Sequence, residues 1–364
     1  MRLPPLPSSL ERGFGHATGA LPAPVKRVLS GRPIRVDGQT LHPDAQLLLA
    51  SERRLGIGID LGAPAAEQRA MVERQERLVH GATIAVGSVS ERTVPSPGGS
   101  LPARLYVPAG APQRGPLTVY LHGGGWVVGG LDTHDQVCRL LCREADVRVL
   151  SVAYRLAPEH PFPAAVEDAV AALRHALGDA SELGADPTAI SIAGDSAGAN
   201  LATVACRIVR DEGGPLPVLQ GLIYPRCDMT RRYRSRDLFA EGFYLTEAEL
   251  STWEPLYTAG HDLADTRLSP LRADDLSGLP GAYVLVAGFD PFRDEVGAYA
   301  AALADAGVPV TVGSELDLFH GFVSAVGISA RFRAALGRLA AAISEASRAS
   351  PPGDARSAHA TRDS

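Results

Sequence analysis

The sequence predicts an α/β fold: a mostly parallel central sheet with helices on both faces and a helical cap. Three observations lead there. Short runs of Val, Ile and Leu, typical of strands buried on both sides, alternate with helix-length segments. Two glycine-rich motifs each follow one of these runs directly, at the carboxyl ends of strands, where open α/β sheets place their chemistry. The segment between Tyr224 and Tyr283 is far longer than a crossover helix needs, and long segments of this kind are usually functional. At 364 residues the chain can bury one large core and still supply a cap.

Residues 1–40 are rich in proline and glycine, show little periodicity and predict a wrapped or partly loose arm. Met1 to Leu10 has no long apolar run and does not read as a secretory leader. A helix over 44–55 carries Leu47, Leu48 and Leu55. A second, over 64–80, opens on Pro64 and gathers Met71, Gln75 and Leu78 with Val72 and Val79 on one face. Helices ahead of the first strand suit a cap. Strands over 88–94 and 103–107 flank Pro95-Ser96-Pro97-Gly98-Gly99, a hairpin signal. Strands are then expected over 117–121, 147–153, 189–193, 218–224, 283–287 and 308–314. Helices are expected over 135–144, 164–177, 199–210, 294–306 and 329–346. The implied organisation is an arm with cap helices (1–85), a catalytic core (86–348) with a cap insertion (226–270), and a small, polar, disordered tail (349–364).

The net charge of −6 argues against a general nucleic-acid binder. The one basic run, Arg231-Arg232-Tyr233-Arg234-Ser235-Arg236, reads as a solvated loop or lid contact. Cys138, Cys142, Cys206 and Cys227 form no C-x-x-C pair and lack ligand-like histidine spacing, so neither a metal nor another cofactor is expected. Cys138 and Cys142, four apart on one helix face, read as buried thiols. No stretch approaches the roughly 18 apolar residues that would span a membrane. A cytoplasmic protein without a stable membrane anchor is the expectation.

The apolar run 190–193 leads straight into Gly194-Asp195-Ser196-Ala197-Gly198 and then into a helix-like segment. Strand, tight turn and helix form the setting in which G-x-S-x-G exposes its serine hydroxyl. With 38 glycines in the chain, that motif alone is weak. His122-Gly123-Gly124-Gly125, after the run 117–121, is much rarer by chance, and its glycines let backbone N–H groups converge on one oxygen. A serine needs a base, and the base needs an acid to orient it. Of the histidines after Ser196, His261 lies in the inserted segment, His359 lies in the tail, and His320 follows the last strand with Gly321 to turn it. For the acid, Asp290 ends the strand 283–287 region, whereas Asp294 and Glu295 begin a helix where the dipole alone favours them. Asp305 and Asp317 are further competitors, and His122 precedes Ser196 and so comes too early to be the base.

The chain resembles the hormone-sensitive-lipase-like branch of the α/β-hydrolases, which includes the bacterial family IV esterases. The resemblance runs from about Val89 to Leu339. It is carried by His122-Gly123-Gly124-Gly125-Trp126, Tyr154-Arg155-Leu156-Ala157-Pro158-Glu159, Gly194-Asp195-Ser196-Ala197-Gly198, Asp290-Pro291-Phe292-Arg293-Asp294-Glu295 and His320-Gly321-Phe322. Phe292 stands where a leucine is usual. The resemblance implies an α/β-hydrolase fold and a Ser196/His320/Asp290 triad, with an oxyanion hole from the N–H groups of Gly124, Gly125 and Ala197. It also implies hydrolysis of short- to medium-chain acyl esters, with a small-molecule ester as the partner. An amidase, lactonase or carbamate hydrolase would use the same triad, and a binding module on this fold would have lost a member of it.

Overall fold

The computed structural model describes residues 21–349. Part of the expected arm is regular: helix α1 (Ala23–Ser30) and a hairpin of β1 (Arg35–Val36) and β2 (Gln39–Thr40). Its turn, Asp37-Gly38, has positive φ at both residues (54° and 76°), as a type I′ hairpin requires. Asp37 accepts from Arg234 and Arg293, and the His42 N–H donates to the Asp317 carbonyl at 2.9 Å, so this segment wraps onto the core. Helices α2 (Pro43–Leu55) and α3 (Ala65–Val79) follow, each within a residue of expectation.

The main sheet has eight strands. They are β3 (Ser88–Ser96), β4 (Gly99–Val107), β5 (Gly115–Leu121), β6 (Arg148–Val152), β7 (Ala185–Asp195), β8 (Leu219–Ile223), β9 (Ala282–Phe289) and β10 (Val310–Phe319). Their order is β10-β9-β8-β7-β5-β6-β4-β3. β3 and β4 pair antiparallel through Ser96 and Gly99, a tighter hairpin than expected, and the strands from β6 to β10 are parallel. Along β5, side chains alternate between two cores. Leu117, Val119 and Leu121 face one that includes residues of α5 (Ala164–Gly178), α6 (Ala197–Asp211) and α9 (Arg293–Asp305). Tyr120 faces another that includes residues of α4 (Asp135–Ala145) and α10 (Ala330–Ala349). This period-2 division explains why strands buried on both faces read as unbroken apolar runs.

The segment after β8 supplies α7 (Arg234–Leu238) and α8 (Glu247–Thr258). Thr246 and Glu249 close a capping box at the start of α8. This segment meets the N-terminal helices: Trp253 Nε1 donates to Gln68 at 2.8 Å, and the Tyr244 hydroxyl to Glu76 at 3.0 Å. Together they form a helical cap. The arginine run is a contact within the cap, one of the two readings expected of it, with Arg232 and Arg234 still largely solvated. Arg232, Arg234 and Arg236 pair with Asp237, Asp37 and Glu247, and the last three residues of the run lie in α7. Asp37, far along the chain, and the nearer Asp237 and Glu247 fix it in place.

All four cysteines are free and buried. No helix among the described residues is long and apolar enough to cross a membrane. The expected tail beyond Ala349 lies outside the described residues.

Candidate active site

β5 and β7 run side by side with Leu121 opposite Gly194, at the point where strand order departs from chain order. The His122 loop and the Ser196 turn therefore leave the sheet together, at a topological switch point. Ser196 stands between β7 and α6 with φ 53° and ψ −117°, a conformation costly for a residue with a side chain. Its N–H donates to the Ile223 carbonyl at 2.8 Å, which holds the turn. A Cβ on Gly194 would sit 2.5 Å from the backbone of Gly198, and one on Gly198 would penetrate the Leu121 carbonyl. The two glycines are there because strand, turn and helix are in backbone contact.

The structure brings together three of the residues singled out from sequence. His320 Nε2 lies 2.9 Å from the Ser196 hydroxyl, and His320 Nδ1 lies 2.8 Å from Asp290 Oδ2. The other Asp290 oxygen accepts the Phe292 N–H at 2.7 Å, which fixes the carboxylate with one edge toward the histidine. Asp290 is fully buried. The imidazole lies between Tyr224, tilted at 4.4 Å, and Phe292, edge-on at 5.1 Å, so the residue in place of the usual leucine packs directly on the ring. Gly321 takes φ 87°, the turn that swings His320 over the sheet.

The competitors are occupied elsewhere. Asp294 accepts the Ser235 N–H. Glu295 is buried against Arg226 and accepts the Cys227 N–H, and Asp317 pairs with Arg331. His261 packs on Phe162, and His359 lies outside the described residues. His122 is buried one residue beyond β5. Burial, aided by His134, pushes its pKa down to about 4, so it is neutral and unsuited to trade protons at neutral pH.

In the glycine loop, Gly124 and Gly125 have φ of 119° and 57°. The Gly124 carbonyl accepts from Val127 and Val128, which closes the loop on itself. Among the described residues, the N–H groups of Gly124, Gly125 and Ala197 take no backbone acceptor. Asp195 ties this loop to the serine turn, accepting the Gly123 N–H at 2.9 Å and the Tyr120 hydroxyl at 2.7 Å. The Tyr154 hydroxyl donates to the His122 carbonyl at 2.8 Å. Arg155 forks onto buried Asp168, and Glu159 receives Arg69 of α3. Residues 154–159 thus link the loop, the core and the cap.

A cavity of about 90 Å³ opens beside Ser196. The core side supplies Gly123, Gly124, Gly125, Ser196 and His320, and the cap side supplies Glu76, Tyr244, Leu245, Glu249 and Trp253. Sequence reading placed Tyr244, Leu245 and Trp253 in the cap insertion without bringing them to the site, and it singled out neither Glu76 nor Glu249. Glu76 was findable, because it stands four after Val72 and three before Val79, a carboxylate on an apolar helix face. Tyr244 and Trp253 find partners remote in the chain, Glu76 and Gln68, whereas the signal on Glu249 is the Thr246-x-x-Glu249 capping box, which marks a helix start and not a cavity wall. Among the described residues no three His, Cys, Asp or Glu side chains converge as metal ligands would.

A family model described as alpha/beta hydrolase fold matches residues 118–324. The carboxylic ester hydrolase LipN of Mycobacterium tuberculosis is 49% identical over 84% of this chain and 83% of its own length. An ethyl acetate hydrolase of Pseudomonas putida is 37% identical over 78% of this chain and 92% of its own. Among solved structures, the ester hydrolase EH1AB1 from the metagenome of Lake Arreo, complexed with a derivative of bipyridine phosphonate, superimposes with a TM-score of 0.80. It is 38% identical, covering 84% of this chain and 98% of that one.

Proposed function

We propose, from the premise that this chain belongs to the α/β-hydrolase family, that Ser196, His320 and Asp290 are its nucleophile, base and orienting acid. The chain is a serine-type carboxylic ester hydrolase acting on small esters. The observation that carries the residue assignment is the bridge through His320, 2.9 Å to Ser196 and 2.8 Å to Asp290.

His320 Nε2 takes the Ser196 proton as the hydroxyl oxygen attacks the ester carbonyl. The N–H groups of Gly124, Gly125 and Ala197 hold the developing oxyanion, and each such donor is worth roughly 2.7–4 kcal/mol in the transition state. His320 then gives the proton to the departing alcohol. Water, deprotonated by the same nitrogen, releases the acid from the acyl-enzyme. Asp290 keeps the Nδ1 hydrogen in place throughout, so Nε2 faces the serine as an acceptor.

The roughly 90 Å³ cavity supports short to medium acyl chains. The contacts of Trp253 with Gln68 and of Tyr244 with Glu76 support a cap built from the segment before residue 86 together with 226–270. Four free, buried cysteines support a reducing, cytoplasmic setting. The net charge of −6 supports a small-molecule partner over a nucleic acid.

A p-nitrophenyl alkylphosphonate tests the nucleophile. One equivalent of p-nitrophenolate should be released per chain, with the phosphonyl group on the peptide containing Ser196. A label elsewhere, or none on an enzyme active before treatment, would refute the assignment.

A further inference from the structure

On the ester-hydrolase reading above, we propose that the cavity beside Ser196 selects esters bearing a protonated amine, and that Glu76 receives that group. Glu76 comes from α3 and is 7% exposed, at the cap side of the cavity. Its Oε1 accepts the Tyr244 hydroxyl at 3.0 Å, whereas Oε2 is buried without a hydrogen-bond partner. The Ser324 hydroxyl lies beside this carboxyl without completing a bond to Oε2. Glu249 of α8 lines the same space from the other half of the cap. No Lys or Arg is among the residues that line it.

A buried carboxylate oxygen without a completed hydrogen bond is costly, so Oε2 of Glu76 marks a place, beside the Ser324 hydroxyl, where a ligand's donor would be stabilised. The surrounding charge says which donor. Glu52 and Glu249 place two further carboxyls about Glu76, whereas the influence of Asp195 there is outweighed by that of its partner His134. His134, which lines the same space, is engaged with Asp195 at 3.2 Å. A hydroxyl would fill one hydrogen bond and leave that negative excess unopposed. An ammonium N–H supplies the hydrogen bond and the charge together. Burial pushes the Glu76 carboxyl up to about 7 against the pull of His134, so an arriving cation meets a group able to ionise fully at neutral pH.

Isosteric pairs that exchange a carbon for a protonated nitrogen test this. Dimethylaminoethyl acetate against isopentyl acetate places the amine in the alcohol. Ethyl dimethylaminobutyrate against its carbon isostere places it in the acyl group. In at least one pair, the amine-to-carbon ratio of kcat/KM near pH 7 should fall about 10-fold or more in Glu76→Gln, the scale of one charged hydrogen bond. An unchanged ratio in both pairs would overturn the proposal and leave Oε2 to water. So would an equal fall for both members, which a packing role through Tyr244 would give. As a measurement that needs no variant, protonated dimethylpropylamine should competitively inhibit isopentyl acetate hydrolysis by the native enzyme, and failure to inhibit would count equally against the site. Absence of turnover on every ester would instead overturn the ester-hydrolase premise, and the amine site with it.

Discussion

Asp195→Asn tests how the serine turn and the glycine loop are held to each other. Asp195 Oδ1 takes the Gly123 N–H at 2.9 Å and the Tyr120 hydroxyl at 2.7 Å, and His134 Nε2 lies 3.2 Å away. Burial raises the Asp195 pKa, but His134 and Tyr120 outweigh it and hold the group below the usual carboxylate range. Burial likewise lowers His134, and Asp195 outweighs it, holding the imidazole above its ordinary value. The depressed carboxylate therefore contributes stability above its unfolded value of about 3.9, lost as pH falls through the folded one. The raised histidine contributes fully below about 6.5, and its share is lost as pH rises through its folded value. An asparagine still offers one oxygen to Gly123 and Tyr120, but the charge is gone and its amide faces His134. With hydrogen bonds to a charged group worth about 1.5–3 kcal/mol, the substitution should cost about 2–5 kcal/mol near pH 6 and clearly less near pH 9. Urea unfolding at the two pH values measures both. A cost under about 1 kcal/mol near pH 6, or one equal at both, would refute this account of the pair.

Two further substitutions probe the site. Gly198→Ala should abolish activity and lower the yield of folded protein, because the new methyl group meets the carbonyls of Leu121 and His122, backbone that cannot give way; near-native circular dichroism with full activity would contradict this. Asp290→Asn should lower kcat roughly 10⁴-fold with little change in stability. The amide oxygen keeps the Phe292 N–H, so its NH₂ faces His320 Nδ1 and forces the hydrogen onto Nε2, where it blocks proton uptake from Ser196. A loss below about tenfold would remove Asp290 from the orienting role.

The strands were legible because each is an apolar run, and the site because its motifs sit where those runs stop. Ser196, His320 and Asp290 are separated by 124 and 30 residues in sequence, yet chain order and strand ends were enough to select them. Part of what escaped depends on distant partners. β10 was expected to end at residue 314, since Glu315 and Asp317 look like a loop. Arg331 and Arg338 of α10 neutralise Glu315, and the strand runs on to Phe319. β7 starts earlier than expected, at Ala185, because Asp186 caps its own polar turn through Thr188. The arm's hairpin carried a readable Asp37-Gly38 signal that the surrounding prolines obscured. The polar lining of the cavity, with Glu76 from α3 and Glu249 from α8, is a product of cap assembly: each carboxylate sits in a local pattern, but nothing local says that the two share one space.

The central claim is that Ser196 does the chemistry. Its most direct test is hydrolysis of p-nitrophenyl butyrate by Ser196→Ala beside the native enzyme, with both shown to be folded. The account predicts steady turnover by the native protein and a loss of roughly 10⁴-fold or more in the variant. A variant that keeps within about tenfold of native kcat would mean that another group attacks the ester.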